Sequence, residues 1–438
     1  MHHMISLVIT SVPINSRLVM KRYLFYALLV SFWSFAMAAE PTEMRDWKAE
    51  SGHRVKAKAL KVEGGKVHFE RENGKTITVP MSKLVEDDQQ FLTKHFELDV
   101  GAENDNGKDG PTTVAADDLG YPLGKTTAEL DCGEGAHCFF YLPKSLEKGK
   151  QYPVLFIMSP GGGSAGVANR YVAGAERNGW ILAVSKESKN GNNNSGKAIL
   201  AMINFTKGKL PIDEKRMYTT GFSGGSRMAY WTSQQEKKIA GIIACGAGGD
   251  VGSRKQVVYG LCGSNCFNRT DMANSFKDIG SKGPILRYFE GKHVWADSEM
   301  CDDAITHLNG VFLSDNKSKY ADDYTRYVQQ VSELVKQNTD SKPKRAFMWA
   351  DFMKRYDMET DDSRKAFSSL ESDEANVSFV KGLYDVRNFA EKTFGKIPAS
   401  QWKADPKVAA ACLREAKRYA GFYWEKILQK MSEDAQKF

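Results

Sequence analysis

The chain has 438 residues, with 61 Lys and Arg against 54 Asp and Glu, a formal charge of +7. Apolar residues at 42% and charged residues at 26% lie near globular averages, which excludes a fibrous or wholly disordered chain. At ~100–200 residues per domain the length is that of several domains. The basic excess would suit nucleic acid or an anionic surface, but no Lys/Arg block or Arg-rich stripe carries it, and part of it lies in a leader.

That leader begins at Met20, the expected start, and reads MKRYLFYALLVSFWSFAMAAEPTE. Lys21 and Arg22 make a positive n-region, Tyr23 to Met37 an apolar run, and Ala36-Met37-Ala38 a cleavage signal. This is the layout of a secretory signal peptide over residues 1–38. The run is shorter than the ~20 apolar residues of a membrane span, so export to the periplasm or outside is expected, without a stable membrane anchor. No Cys precedes Cys132, which excludes lipid attachment at the cleavage site. Residues 1–38 carry Arg17, Lys21 and Arg22 and no acid, so their removal takes three charges from the +7 and nucleic-acid binding loses its main support.

Residues 45–93 alternate apolar and polar in short runs (Val55, Ala57, Ala59; Val67, Phe69; Ile77, Val79), broken by Gly-Gly and Asn-Gly turn signals. The pattern predicts a small antiparallel sheet of hairpins. Trp47, Gly52, the GKV strand at 65–67, GKTITVP at 74–80, Leu84 and Asp88-Gln89 follow in an order that resembles the SLA1 homology domain 1. The resemblance implies an SH3-like barrel, in some members a reader of short peptides, and so a peptide or protein ligand or a scaffolding role. His53, His68 and His95 have no ligand spacing. Residues 98–119, rich in Gly, Asn and Asp, read as a linker.

From residue 120 strands alternate with helix-length segments. Cys138–Leu142, Pro153–Met158, Trp180–Val184, Met217–Gly221, Ile239–Cys245, Val257–Leu261 and Ile285–Phe289 are short and apolar, which argues for a doubly wound, mainly parallel sheet. The α/β domain spans 120–314. After residue 315 the strands stop, and 320–337, 343–358, 376–394 and 406–434 read as helices of a C-terminal domain, 315–438. The last opens with Asp405 as cap and Pro406 and carries Leu413, Ala416, Ala420, Tyr423, Ile427 and Met431 along one face.

The chemistry is concentrated in IDEKRMYTTGFSGGSRMAYW, residues 212–231, where Gly221-Phe222-Ser223-Gly224-Gly225 fits G-x-S-x-G between a strand and a helix. Such a turn exposes the serine, small neighbours relieve the crowding, and the helix N-terminus favours developing negative charge. Ser223 is the candidate nucleophile and needs a base. Of eight histidines only His293 and His307 follow it. His293 lies in a loop just after a candidate strand, His307 inside an apparent helix, so His293 is expected to be the base. An acid between serine and histidine could be Glu236, Asp250, Asp271, Asp278 or Glu290. Asp271, on the segment before the His-bearing strand, holds the expected position, with Asp250 as the alternative. The backbone N–H of Gly224, and one from Gly161, Gly162 or Gly163 in MSPGGGSAG, are candidate oxyanion donors. No G-K-[ST] follows that loop, which argues against phosphate cradling.

All seven cysteines lie beyond the leader. In an oxidising compartment the close pairs Cys132/Cys138 and Cys262/Cys266 are expected disulfides, an odd thiol remains, and the spacing supports zinc poorly. Cys245 reads as a core residue.

VLFIMSPGGG at 154–163, the segment 212–229 and FEGKHVW at 289–295 make residues 120–314 similar to the α/β-hydrolase superfamily, near its polyhydroxybutyrate depolymerase, feruloyl esterase and dienelactone-hydrolase-like branch. The resemblance implies a triad of Ser223, Asp271 and His293 acting on a small-molecule or polymer ester, with no metal or organic cofactor. A peptidase of the same fold, or a non-catalytic scaffold with a degenerate hydrolase domain, remains the alternative. Two features depart from the branch: Ser159-Pro160-Gly161 replaces its His-Gly, and Lys292 replaces the glycine before its histidine.

Overall fold

A computed structural model describes residues 41–49, 53–63, 66–96, 119–251, 256–276, 284–394 and 405–437. The expected leader and nearly all of the linker lie outside the described residues. The chain divides into two units, one ending at Gly107 and one beginning at Lys108.

In the first unit β1 (Arg45–Lys48), β2 (Arg54–Glu63), β3 (Lys66–Arg71) and β4 (Thr76–Pro80) pair antiparallel in chain order, followed by helix α1 (Glu86–His95). The alternation puts Ala57, Ala59, Val67 and Phe69 on one face, where Trp47, Leu84 and Leu92 close a small core. The Trp47 indole N–H donates to Ala57 O at 2.8 Å, so the largest core side chain buries no unmet donor. Asp88 ties the helix to β1: its carboxylate accepts from Arg45 Nη2 at 2.9 Å and from Lys48 N at 2.7 Å.

The second unit is built on eight strands: β5 (Leu130–Gly133), β6 (Ala136–Tyr141), β7 (Tyr152–Met158), β8 (Ile181–Ser185), β9 (Ile212–Phe222), β10 (Ile239–Cys245), β11 (Val257–Gly263) and β12 (Ile285–Phe289). Their order across the sheet is β12-β11-β10-β9-β7-β8-β6-β5. Strand β6 runs antiparallel to β5 and β8, and the remaining pairs are parallel. This is the α/β-hydrolase order, with its antiparallel second strand and its single reversal between the third and fourth strands. Every residue of β7 and β8 is buried, because helices cover both faces of the sheet. On one face α2 (Val172–Asn178) packs with Leu155, Ile243 and Ile305; on the other α3 (Ser195–Lys209) and α4 (Gly224–Gln235) pack against Phe156, Met217 and Ile242.

Beyond the short helix α5 (Arg269–Asn274) and strand β12 come α6 (Ser298–Asp315), α7 (Ala321–Asn338), α8 (Pro343–Arg355), α9 (Asp361–Leu370), α10 (Glu374–Phe394), α11 (Pro406–Lys417) and α12 (Tyr423–Lys437). Val331, Trp349, Leu383 and Trp424 of these helices belong to the same apolar cluster as Phe156 and Met217 of the sheet. A buried charge cluster joins them as well. Asp303 on α6 accepts from Arg287 Nη1 of β12 at 2.8 Å, from Arg345 Nε of α8 at 2.8 Å and from the Trp349 indole at 3.0 Å. Asp302 meets Arg177 at 3.1 Å and Arg345 at 2.7 Å.

The structure departs from the sequence expectations at four points. The helix expected over 406–434 is two helices, because Gly421 takes φ +79 and turns the chain between α11 and α12. Leu413, expected on the packing face, is 43% exposed, while Ala416, Ile427 and Met431 are buried. Helix α9 was not anticipated; its start is set by a capping box between Thr360 and Ser363. The disulfides expected at Cys132/Cys138 and Cys262/Cys266 are not formed, and all seven cysteines are free thiols. Within each pair the sulfurs are neighbours that meet as thiols, and the Cys266 thiol is also in contact with His293 Nδ1.

Candidate active site

Strand β9 delivers Ser223 to the turn before α4. Ser223 has φ 52 and ψ −117, a conformation that costs a non-glycine residue about 1–3 kcal/mol and that the surrounding structure must hold. Its N–H donates to Cys245 O at 2.9 Å. Two flanking glycines are dictated by contact: a Cβ on Gly221 would lie 2.4 Å from the Gly225 carbonyl, and one on Gly225 would lie 2.3 Å from Met158 O. The helix entry therefore presses against the end of β7, and the Ser223 hydroxyl is left at the sheet's C-terminal edge.

His293 reaches the same point from the loop after β12. Its Nε2 is 2.8 Å from Ser223 Oγ. The ring lies between Phe222 and Phe267, at centroid distances of 4.6 Å and 4.1 Å. Phe267 is 62% exposed and Val294 48% exposed, so the histidine sits under an apolar rim. His307 is not at the site; it is buried on α6 between Tyr259 and Phe352.

The expected acid is elsewhere. Asp271, on α5, pairs with Arg227 Nη2 of α4 at 2.8 Å, not with His293. The atom that meets His293 Nδ1 is Cys266 Sγ, at 3.1 Å. The reason is positional: Cys266 lies in the turn that immediately follows β11, next to the β12 loop, whereas Asp271 lies beyond that turn on a helix facing α4. Among the described residues no carboxylate is within ion-pair distance of His293. Glu236 pairs with Lys207 and Glu290 with Lys426. Asp250 offers its carbonyl to Gln234 Nε2, and Asp278 lies outside the described residues. Sequence reasoning missed Cys266 because its spacing to Cys262 was read as a bridge; its place directly after the seventh strand of the sheet was the available signal.

The Cys266 thiol is held low, to about 6, first by the hydrogen bond from the Cys262 thiol and then by His293, against the opposing effect of burial. Cys262 itself, wholly buried, is pushed far up.

For the oxyanion, the glycine loop after β7 resolves into distinct roles. Gly162 N donates to Ser159 O at 3.0 Å, and Gly163 N donates to Ser185 O at 3.0 Å. A Cβ on Gly163 would meet Ser185 O at 2.3 Å, so this glycine seats the loop on β8. The N–H groups of Gly161 and Gly224 have no acceptor among the described residues, so both are available as donors. Asn190 lies over Gly224, with its Oδ1 1.9 Å from where a Cβ would stand. The arrangement sets a hydroxyl on a strained turn in contact with an imidazole, with two unengaged backbone N–H groups in the adjoining turns, groups of the kind that acyl transfer uses.

Residues 36–99 match the SLA1 homology domain 1 family. No curated protein sequence matches the chain. Among solved structures the chain is similar to an S-formylglutathione hydrolase of Staphylococcus aureus, at 12% identity over 42% of this chain and 96% of that one, with a TM-score of 0.35. It is also similar to an esterase of Pyrobaculum calidifontis, at 10% identity over 40% of this chain and 78% of that one, TM-score 0.31. A puromycin hydrolase aligns at 12% identity over 59% of this chain and 45% of that one, TM-score 0.36.

Proposed function

We propose that the chain is a serine hydrolase that cleaves carboxylic esters through an acyl-enzyme. The observation that carries this is the 2.8 Å contact between His293 Nε2 and the hydroxyl of Ser223 on its strained strand-to-helix turn. Ser223 Oγ attacks the ester carbonyl carbon as its proton passes to His293 Nε2. The carbonyl electrons move onto the oxygen, which the N–H groups of Gly161 and Gly224 receive. Collapse of the tetrahedral adduct breaks the carbon–alkoxy bond, and His293 returns the proton to the leaving alcohol. Water, deprotonated by the same nitrogen, then releases the acid and restores Ser223. The exposed Phe267 and Val294 beside His293 favour an ester with an apolar acyl or alkoxy group.

The reading extends to the rest of the chain. The Lys21-Arg22 n-region, apolar run and Ala-Met-Ala signal support export, and the family match at residues 36–99 supports a short-peptide or protein ligand for the first unit. The test uses the full chain with a fluorophosphonate probe and a panel of p-nitrophenyl esters and peptide anilides. Labelling that Ser223→Ala abolishes, with turnover of esters and not anilides, is expected. A folded chain that neither labels nor hydrolyses any ester refutes the reading, and preferential cleavage of anilides would make it a peptidase.

A further inference from the structure

We propose that Cys266 is the positioning residue of this site, its sulfur accepting from His293 Nδ1–H at the place where a carboxylate was expected. The inference rests on the Ser223–His293 reading above and adds the group behind the histidine. For Nε2 to take the serine proton it must carry a lone pair, so the imidazole proton must reside on Nδ1, and Nδ1 must face an acceptor. The atom there is Cys266 Sγ at 3.1 Å. Asp271 is turned to Arg227 instead.

The surroundings of Cys266 keep its sulfur in the accepting role. Gly246 O, after β10, stands 3.6 Å from Sγ and takes the S–H when the thiol is protonated. Asn268 Nδ2 holds the same carbonyl at 2.9 Å, fixing its direction. Either way the sulfur lone pairs remain for Nδ1–H. The neighbouring Cys262, from β11, whose own thiol lies 3.5 Å from Gly263 O, favours the thiolate of Cys266, in which state the site holds a negative charge that stabilises the imidazolium formed during acyl transfer. The other titratable groups facing this pocket are Cys245 on β10, Tyr288 on β12 and the buried Arg269, whose Nη1 donates to Cys266 O at 3.1 Å. Burial pushes Cys245 up to about 12 and Tyr288 far above its ordinary range, so neither competes for the negative charge near neutral pH. Protonation of that thiolate in acid removes the negative charge behind the histidine, and this sets the lower limit of activity.

The experiment compares Cys266→Ala, Cys266→Asp and Asp271→Asn in the full chain, under reducing conditions. It reads kcat and KM on a p-nitrophenyl ester against pH, and the nitrogen-15 shifts of the His293 ring in protein labelled at histidine. Cys266→Ala should lower kcat by about 10²–10⁴-fold with KM little changed, and should move the ring proton away from Nδ1. Cys266→Asp should restore most of kcat and move the acid limb of the pH profile downward, because a carboxylate ionises at lower pH than this thiol. Asp271→Asn should stay within about fivefold of the parent. The proposal is overturned if Cys266→Ala keeps full kcat and the parent pH profile, if Asp271→Asn is the variant that abolishes turnover, or if the parent ring carries its proton on Nε2. Should the parent show no turnover at all, the ester-hydrolase reading fails by itself, and the ring shifts of parent against Cys266→Ala still decide the role of the sulfur.

Discussion

Replacing Asp303 by Asn removes the negative charge from a carboxylate that is fully buried and touched by Arg287, Arg345 and the Trp349 indole. The shape is kept, so packing changes little, but two guanidinium groups, each about a tenth exposed at the side chain, lose their shared counter-charge. Burial pushes the Asp303 carboxyl up, but Arg345 and Arg287 outweigh it and hold it below its ordinary value. Breaking a buried pair from one side destabilises by about 3–5 kcal/mol, and the amide oxygen, which still accepts one hydrogen bond, places Asp303→Asn near the lower end. Unfolding entropy for the part of the chain from Lys108 to Phe438 is on the order of 0.7 kcal/mol/K, so the expected drop in Tm is about 4–7 °C. The sign with pH is fixed. A depressed carboxyl contributes stability above its unfolded-state value and loses it as pH falls through its folded-state value, so the gap between parent and variant should close in acid. Thermal melts followed by far-UV circular dichroism across pH measure this. Melting of Asp303→Asn within 1 °C of the parent near neutral pH would refute the account, as would a gap that widens in acid.

Two further outcomes are expected. Gly224→Pro should reduce ester turnover by at least about 10²-fold, because at the first position of α4 it removes the N–H proposed to receive the oxyanion, while the Cβ it adds meets first the end of the Asn190 side chain; undiminished kcat in the folded variant would remove Gly224 from that role. Diamide should inactivate the parent slowly and reversibly. It takes two electrons and two protons from the dithiol, joining Cys262 to Cys266 and depriving the sulfur of its charge, and the reaction must wait for a local opening, since both cysteines are fully buried. A disulfide mapped by mass spectrometry in a protein of full activity would contradict this, and Cys262→Ala should be insensitive. Under the same logic an oxidising compartment would hold the site off until the pair is reduced.

Much of the architecture was legible without coordinates because it rests on local rules. Continuous apolar runs separated by helix-length segments marked a sheet covered on both faces, and β7 and β8 are buried at every position. Gly221 to Gly225 between a strand and a helix marked the sharp turn that holds Ser223, since only small residues fit where the helix entry meets β7. With two histidines after Ser223, one of them inside a helix, counting pointed to His293, and that is the ring found 2.8 Å from the Ser223 hydroxyl.

What the tertiary structure decided depends on which distant loops meet. The partner of His293 Nδ1 is set by the approach of the turn after β11 to the loop after β12, and the spacing of Cys262 and Cys266 along the chain says nothing of that approach. Asp271 was expected at the site by position, yet the packing of α5 against α4 gives it to Arg227. Periodicity marked the C-terminal helices but not the reversal at Gly421, and no pattern of charges foretold that Asp303 would lie in the core between β12 and α8. The residue types and their local turns belong to the sequence by itself. The choice of which charge or thiol stands behind the histidine is made only when the sheet brings the ends of β9, β11 and β12 together.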